Sequence, residues 1–141
     1  MSKARIPVSL ARKVRERAGA ACEYCRLSQS EQEATFHIDH IHPTVLGGTT
    51  RFDNLALACV SCSLSKAARI SVRDPTIGKI VPLFHPRRDV WSEHFEWAAR
   101  WRVVGLTPTG RATVMALRMN RPAIVAIRRM LAELNRFPAA D

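Results

Sequence analysis

Val8, Leu10, Ala11, Val14 and Ala18 recur at helical spacing between Pro7 and Gly19, and Arg12, Lys13, Arg15, Glu16 and Arg17 fill the positions between them. This stripe predicts an amphipathic helix with Ser9 as its cap and Gly19 as its stop. Arg26 to Glu33 is polar and reads as a loop. Ala34 to Ile41 has the β-branched and aromatic content of a short strand. Pro43 and the Gly47-Gly48 pair then open a long loop that runs to Asn54. Leu55 to Ala58 is a short apolar run, strand or turn. A helix is expected from Ser63 to Ile70, with Lys66 and Arg69 on its polar side.

Further on, Asp74 to Gly78 reads as a turn and Lys79 to Phe84 as an extended segment, which Pro82 places near a sheet edge. His85 to Arg88 breaks it. Trp91, Phe95 and Trp97 are expected to pack on the core, and Trp101 to Val104 to pair with the strand around Ile80. Thr107 caps a helix that starts at Pro108 and runs towards Asn120. Pro122 starts another, with Ile124, Ile127, Leu131 and Leu134 on one face. The chain shows neither an internal repeat nor a low-complexity tract.

At 141 residues the chain fits one domain, 1–141, and a hydrophobic fraction of 47% suits a globular protein rather than a disordered one. No apolar run nears the roughly 18 residues of a membrane span. Met1 to Pro7 lacks the apolar centre of a secretion signal. A soluble, cytoplasmic protein is therefore expected.

Charge changes the picture more. The formal net charge is +10, and the basic set is 18 Arg to 4 Lys. Arginine's planar fork of donors matches phosphate oxygens, so a polyanion is the natural partner. Basic residues concentrate in 1–26 and beyond Ser63, while 27–62 holds Glu31, Glu33, Asp39 and Asp53 against Arg51 alone. Arg12, Arg15, Lys66 and Arg69 are the candidate nucleic-acid contacts. A merely solvated basic face is the competing reading.

All four cysteines fall in two Cys-x-x-Cys pairs, Cys22/Cys25 and Cys59/Cys62, with 33 residues between Cys25 and Cys59. Two such turns complete a tetrahedral zinc site. Disulfides do not suit an intracellular protein, and a thioredoxin-like pair expects one motif in a βαβ context. With every cysteine used as a ligand, the ion has no open position and is structural.

Between the pairs stands Phe36-His37-Ile38-Asp39-His40-Ile41-His42-Pro43. Phosphodiester hydrolysis needs a base for water and charge at the leaving oxygen. Neutral imidazole supplies the base, and a carboxylate holds a hard cation such as Mg²⁺. Asp39 and His40 offer one of each. Strand neighbours point to opposite faces, so the strand is expected to twist or end here. His37 shares a face with Asp39 and reads as a ligand, an orienting group or a structural histidine. His42, His85 and His94 read as structural.

These residues carry a resemblance. His37-Ile38-Asp39-His40-Ile41-x-Pro43, Gly47-Gly48, Asn54 to Cys59-x-x-Cys62 and Lys66 resemble the HNH endonuclease motif, with the flanking zinc cysteines of many bacterial members. The run from Asp74 to Thr113 resembles the C-terminal extension of one small bacterial HNH group. The resemblance implies an α+β fold with a ββα-metal core at about 20–70, flanked by the N-terminal helix and, at about 71–141, by C-terminal strands and helices. It implies DNA as substrate, His40 as general base, Asp39 as ligand of a catalytic divalent ion (Mg²⁺, Mn²⁺ or Ni²⁺) and Asn54 as the residue that aims His40. The third motif position, Asn or His in most of the family, is Ser63 here. A hydroxyl there binds the ion directly, holds it through water or leaves the site impaired. A catalytically weak or inactive zinc-containing DNA-binding module is therefore the alternative, and a structural zinc protein with a protein partner the third. A double-strand break from one site per chain would call for a homodimer.

Overall fold

The computed structural model describes residues 5–29 and 35–138. Residues 30–33 of the expected loop, Ala34 of the expected strand and the first four residues of the N-terminal segment lie outside them. Helices α1 (Val8–Arg17), α2 (Val60–Lys66), α3 (Trp91–His94), α4 (Pro108–Ala116) and α5 (Pro122–Glu133) alternate with strands β1 (His37–His40), β2 (Leu55–Ala58), β3 (Ser71–Arg73), β4 (Ile80–Pro82), β5 (Phe95–Ala98) and β6 (Arg102–Gly105). The strands form three two-stranded antiparallel sheets, β1-β2, β3-β4 and β5-β6. This mixture of helices and small antiparallel sheets is the expected α+β class.

The first sheet is the frame of the site. β1 and β2 pair in the register His37↔Ala58, Asp39↔Ala56 and His40↔Leu55. Every residue of β2 is buried, because α1 packs on it from one region of the chain and α2 from another. Truncating Leu57, which is fully buried, is expected to cost about 2–5 kcal/mol through lost burial and the cavity left behind. Arg17 at the end of α1 donates to the carbonyls of Phe52 (2.7 Å) and Leu55 (2.5 Å), and its guanidinium lies 3.8 Å from the centre of the Phe52 ring. This basic side chain fastens α1 to the loop before β2.

Three sequence expectations change. Pro7, not Ser9, is the cap residue of α1, and no side chain among the described residues caps it. Helix α2 starts earlier than expected: Cys59 is its cap, its sulfur accepting from the Cys62 amide, and it ends at Ala67, whose φ is +51°. Arg102 to Gly105 pairs with Phe95 to Ala98, and Ile80 to Pro82 pairs with Ser71 to Arg73. Each is therefore a local hairpin, which closes a shorter loop than the 80-to-102 pairing would. Thr107 does cap α4, accepting from the Gly110 amide at 3.0 Å.

The C-terminal extension is tied into the same core. The buried apolar cluster runs from Val14 through Leu55, Leu57 and Phe84 to Leu117, Leu131 and Phe137. Arg128, fully buried, donates to the carbonyls of Trp101 (2.9 Å) and Met119. Asp74, also buried, takes a two-pronged ion pair from Arg111 (3.1 and 2.9 Å), which anchors the β3–β4 turn to α4.

Candidate metal centre

The two cysteine turns come together. Cys22, Cys25, Cys59 and Cys62 are all buried, and their sulfurs lie within 4.8 Å of one another. Thiolates held about 2.3 Å from one zinc ion lie roughly 3.8 Å apart; Cys25 and Cys59 sulfurs are 3.7 Å apart. The amides of Cys25 and Cys62 point at the first sulfur of each pair, at 3.5 and 3.4 Å, as expected for knuckles that stabilise negative sulfur. Hydrogen bonds from Cys22, Cys25 and Cys62 hold the Cys59 thiol far below its ordinary range, while burial pushes Cys22 up. Burial opposes four thiolates together unless a cation joins them. The Arg121 guanidinium adds positive charge 3.9 Å from the Cys59 sulfur. The donor set fits one structural zinc ion.

The first knuckle also docks on the hairpin. Glu23 exchanges two hydrogen bonds with Leu57: its amide donates to the Leu57 carbonyl and its carboxylate accepts from the Leu57 amide, each at 2.8 Å. The same carboxylate is paired with Arg87 from the C-terminal extension. Trp91 donates to the Tyr24 carbonyl at 2.8 Å. Sequence reasoning missed this brace, because its partners lie more than 30 residues apart.

On β1 the expected site residues divide between two sides. Strand alternation puts His37 and Asp39 on one face and His40 on the other. The first face meets α2. His37 Nδ1 is 2.9 Å from Ser63 Oγ, and Asp39 Oδ2 is 3.1 Å from Lys66 Nζ. Tyr24 donates to the same carboxylate oxygen at 3.5 Å. Ser63 and Lys66 are three apart on a helix and hence neighbours on one of its faces, so the two contacts are adjacent rungs between strand and helix. His40 Nε2 instead meets Thr50 Oγ1 at 2.9 Å, a partner that sequence reasoning missed.

Asn54 clamps the turn that follows His40. Its oxygen accepts from the His42 amide (2.9 Å), and its nitrogen donates to the carbonyls of His42 (3.0 Å) and Thr49 (2.7 Å). Gly48 is obligatory in this loop: a Cβ there would sit 1.7 Å from the His42 carbonyl oxygen.

Lys66 corrects an expectation. Expected on a polar face among the phosphate contacts, its side chain is 2% exposed. Its ammonium bonds the Asp39 carboxylate and the His40 carbonyl, the latter at 3.2 Å, so it faces inward. Among the described residues, the four cysteines are the one group of three or more His, Cys, Asp or Glu side chains placed to share an ion. Asp39 suits a hard divalent ion in kind, but such an ion must share or take over a carboxylate that Lys66 holds. Lys66→Met is therefore expected to cost about 3–5 kcal/mol of stability, the consequence of leaving a buried charge unpaired. Part of that loss should return on adding Mn²⁺, because an ion bound only by the folded chain stabilises it. Thermal melts with and without Mn²⁺ check this; equal melting with the parent would contradict it.

A cleft of about 750 Å³ opens beside the hairpin, between the Gly47–Asn54 loop and the Pro82–Asp89 segment. Lys66, Arg69, Arg87, Arg88, His42 and His85 line it, together with Asp53 and Asp89. Asp39, His40 and Ser63 are not among its lining residues. Arg69 bends back to the carbonyls at the end of α2 and to that of Ala116, while Arg88 is exposed. Arg12 is exposed on α1 and Arg15 half-buried.

The cysteine knuckles, the hairpin and α2 coincide with a known sequence family: the model of the HNH endonuclease family matches residues 22–69. The match covers 48 of the 141 residues. No curated protein and no solved structure matches the chain. No helix among the described residues is long and apolar enough to cross a membrane.

Proposed function

We propose that the chain is a metal-dependent endonuclease that hydrolyses DNA phosphodiester bonds, with residues 1–141 as one nuclease domain built on a ββα-metal core. The observation that carries this reading is the HNH match across the stretch that holds Asp39, His40 and Asn54. In this reading His40 takes the proton from the attacking water. Thr50, bonded to Nε2, holds the ring, and with Nε2–H donated to that hydroxyl Nδ1 is the basic nitrogen. Asn54 keeps the turn after His40 from shifting, and Asp39 holds the divalent ion. Bound there, such an ion supplies positive charge at the leaving oxygen. The four cysteines hold zinc and keep the hairpin and α2 in register.

Phosphate gripping falls to arginines. Arg88 and Arg69 at the cleft join Arg12 and Arg15 on α1 in this role, and Lys66 leaves it. DNA affinity should fall steeply with salt, and each phosphate contact removed should flatten the log–log slope by about 0.9. Binding titrations of Arg88→Ala from 50 to 200 mM salt check this; an unchanged slope would remove Arg88 from the grip.

A second reading, a zinc-containing DNA-binding module with weak or no catalysis, draws on one observation: Lys66 already neutralises Asp39 at 3.1 Å. Incubating zinc-loaded protein with supercoiled plasmid and Mg²⁺, Mn²⁺ or Ni²⁺ separates the two. Nicking supports the nuclease; DNA binding without nicking under every ion supports the module.

A further inference from the structure

We propose that His37 is the nitrogen ligand of the catalytic ion, and that Ser63 is its positioning partner rather than a ligand. This rests on the nuclease reading and concerns how that site is completed when position 63 carries only a hydroxyl.

The observations are local. His37 and Asp39 stand two apart on β1, about 6.7 Å along the strand, on the face turned to α2. The residues across from them on β2 are Ala58 and Ala56, so no bulky side chain from that strand competes for the space. Ser63 is buried, 6% exposed, and its hydroxyl is spent on His37 Nδ1 at 2.9 Å. The other ring nitrogen of His37 has no hydrogen-bond partner among the described residues. His37 is half-buried, so this nitrogen reaches solvent rather than protein. A metal-bound histidine has the same pattern, one nitrogen tied to an oxygen that holds the ring and the other presented to the ion. With Nδ1–H donated to Ser63, Nε2 carries the lone pair. The resembling family mostly places Asn or His on the helix; here an imidazole is supplied from the strand, one rung from Asp39.

Zinc-loaded protein titrated with Mn²⁺ and read by electron paramagnetic resonance tests this, with electron spin echo modulation reporting ¹⁴N coordination. Expected are one Mn²⁺ site lost in Asp39→Asn, with nitrogen modulation that His37→Gln removes. Ser63→Ala should keep the modulation while weakening Mn²⁺ binding about 10–100-fold, the usual cost of losing such an orienting bond. Ser63→Thr, which keeps the hydroxyl, should restore parental affinity. Zinc content and melting curves confirm that each variant is folded. An Asp39-dependent Mn²⁺ site whose nitrogen modulation is absent, or persists in His37→Gln, overturns the assignment of His37 alone. Absence of any Asp39-dependent Mn²⁺ site overturns the divalent-ion reading with it.

Discussion

Cys59→Ser is expected to unfold the protein outright rather than merely lower its melting temperature. A structural zinc site contributes about 10–16 kcal/mol of apparent binding energy at neutral pH, against a total stability of about 5–15 kcal/mol for an ordinary domain. Here the site joins two turns 33 residues apart in the chain, and the contacts around it depend on their being held together. Cys22 and Cys25 carry Glu23 onto Leu57 and Tyr24 towards Asp39, and Cys59 caps α2. Without the ion, four buried thiols face one another with no cation to justify their approach. Elemental analysis should find about one zinc per chain in the parent, and circular dichroism of the variant should show no cooperative melt. A variant or chelated protein that melts like the parent would contradict the zinc assignment.

His40→Ala is expected to lower the cleavage rate by about 10²–10⁴-fold, the usual contribution of a positioned general base. The substitution should leave folding nearly intact, because His40 is half-buried and its ring bonds a loop threonine. DNA affinity should also hold, since the proposed phosphate contacts lie elsewhere. Thr50→Val, which removes the hydroxyl that orients the ring, should give a smaller loss of the same kind. Single-turnover rates at saturating enzyme separate these effects from binding. A His40→Ala protein that cuts at the parental rate would remove His40 from the chemistry.

What the sequence made legible was local. Two Cys-x-x-Cys turns need only a two-residue spacing to show their purpose, and the structure brings all four sulfurs together. The helices from Pro108 and Pro122 start where proline and Thr107 say they should. Strand partners were harder. β4 is three residues long and β6 four, too short for alternation to choose between a near and a distant partner. Loop length decided it instead. The site was harder still. Lysine is ordinarily a surface residue, so nothing near Lys66 signals that it turns inward to Asp39, 27 positions away. The His37–Ser63 and Glu23–Arg87 pairs are invisible for the same reason. Seen from the sequence alone, Ser63 is a defect in a motif; placed against His37, it has a partner of its own.

The measurement that bears most directly on the account is the initial rate of plasmid nicking as Mn²⁺ is titrated into zinc-loaded protein previously freed of other divalent ions. No nicking is expected at zero Mn²⁺, then a saturable rise, with zinc content constant throughout. Nicking that proceeds undiminished without the added ion, or none at any ion concentration while DNA remains bound, would contradict it.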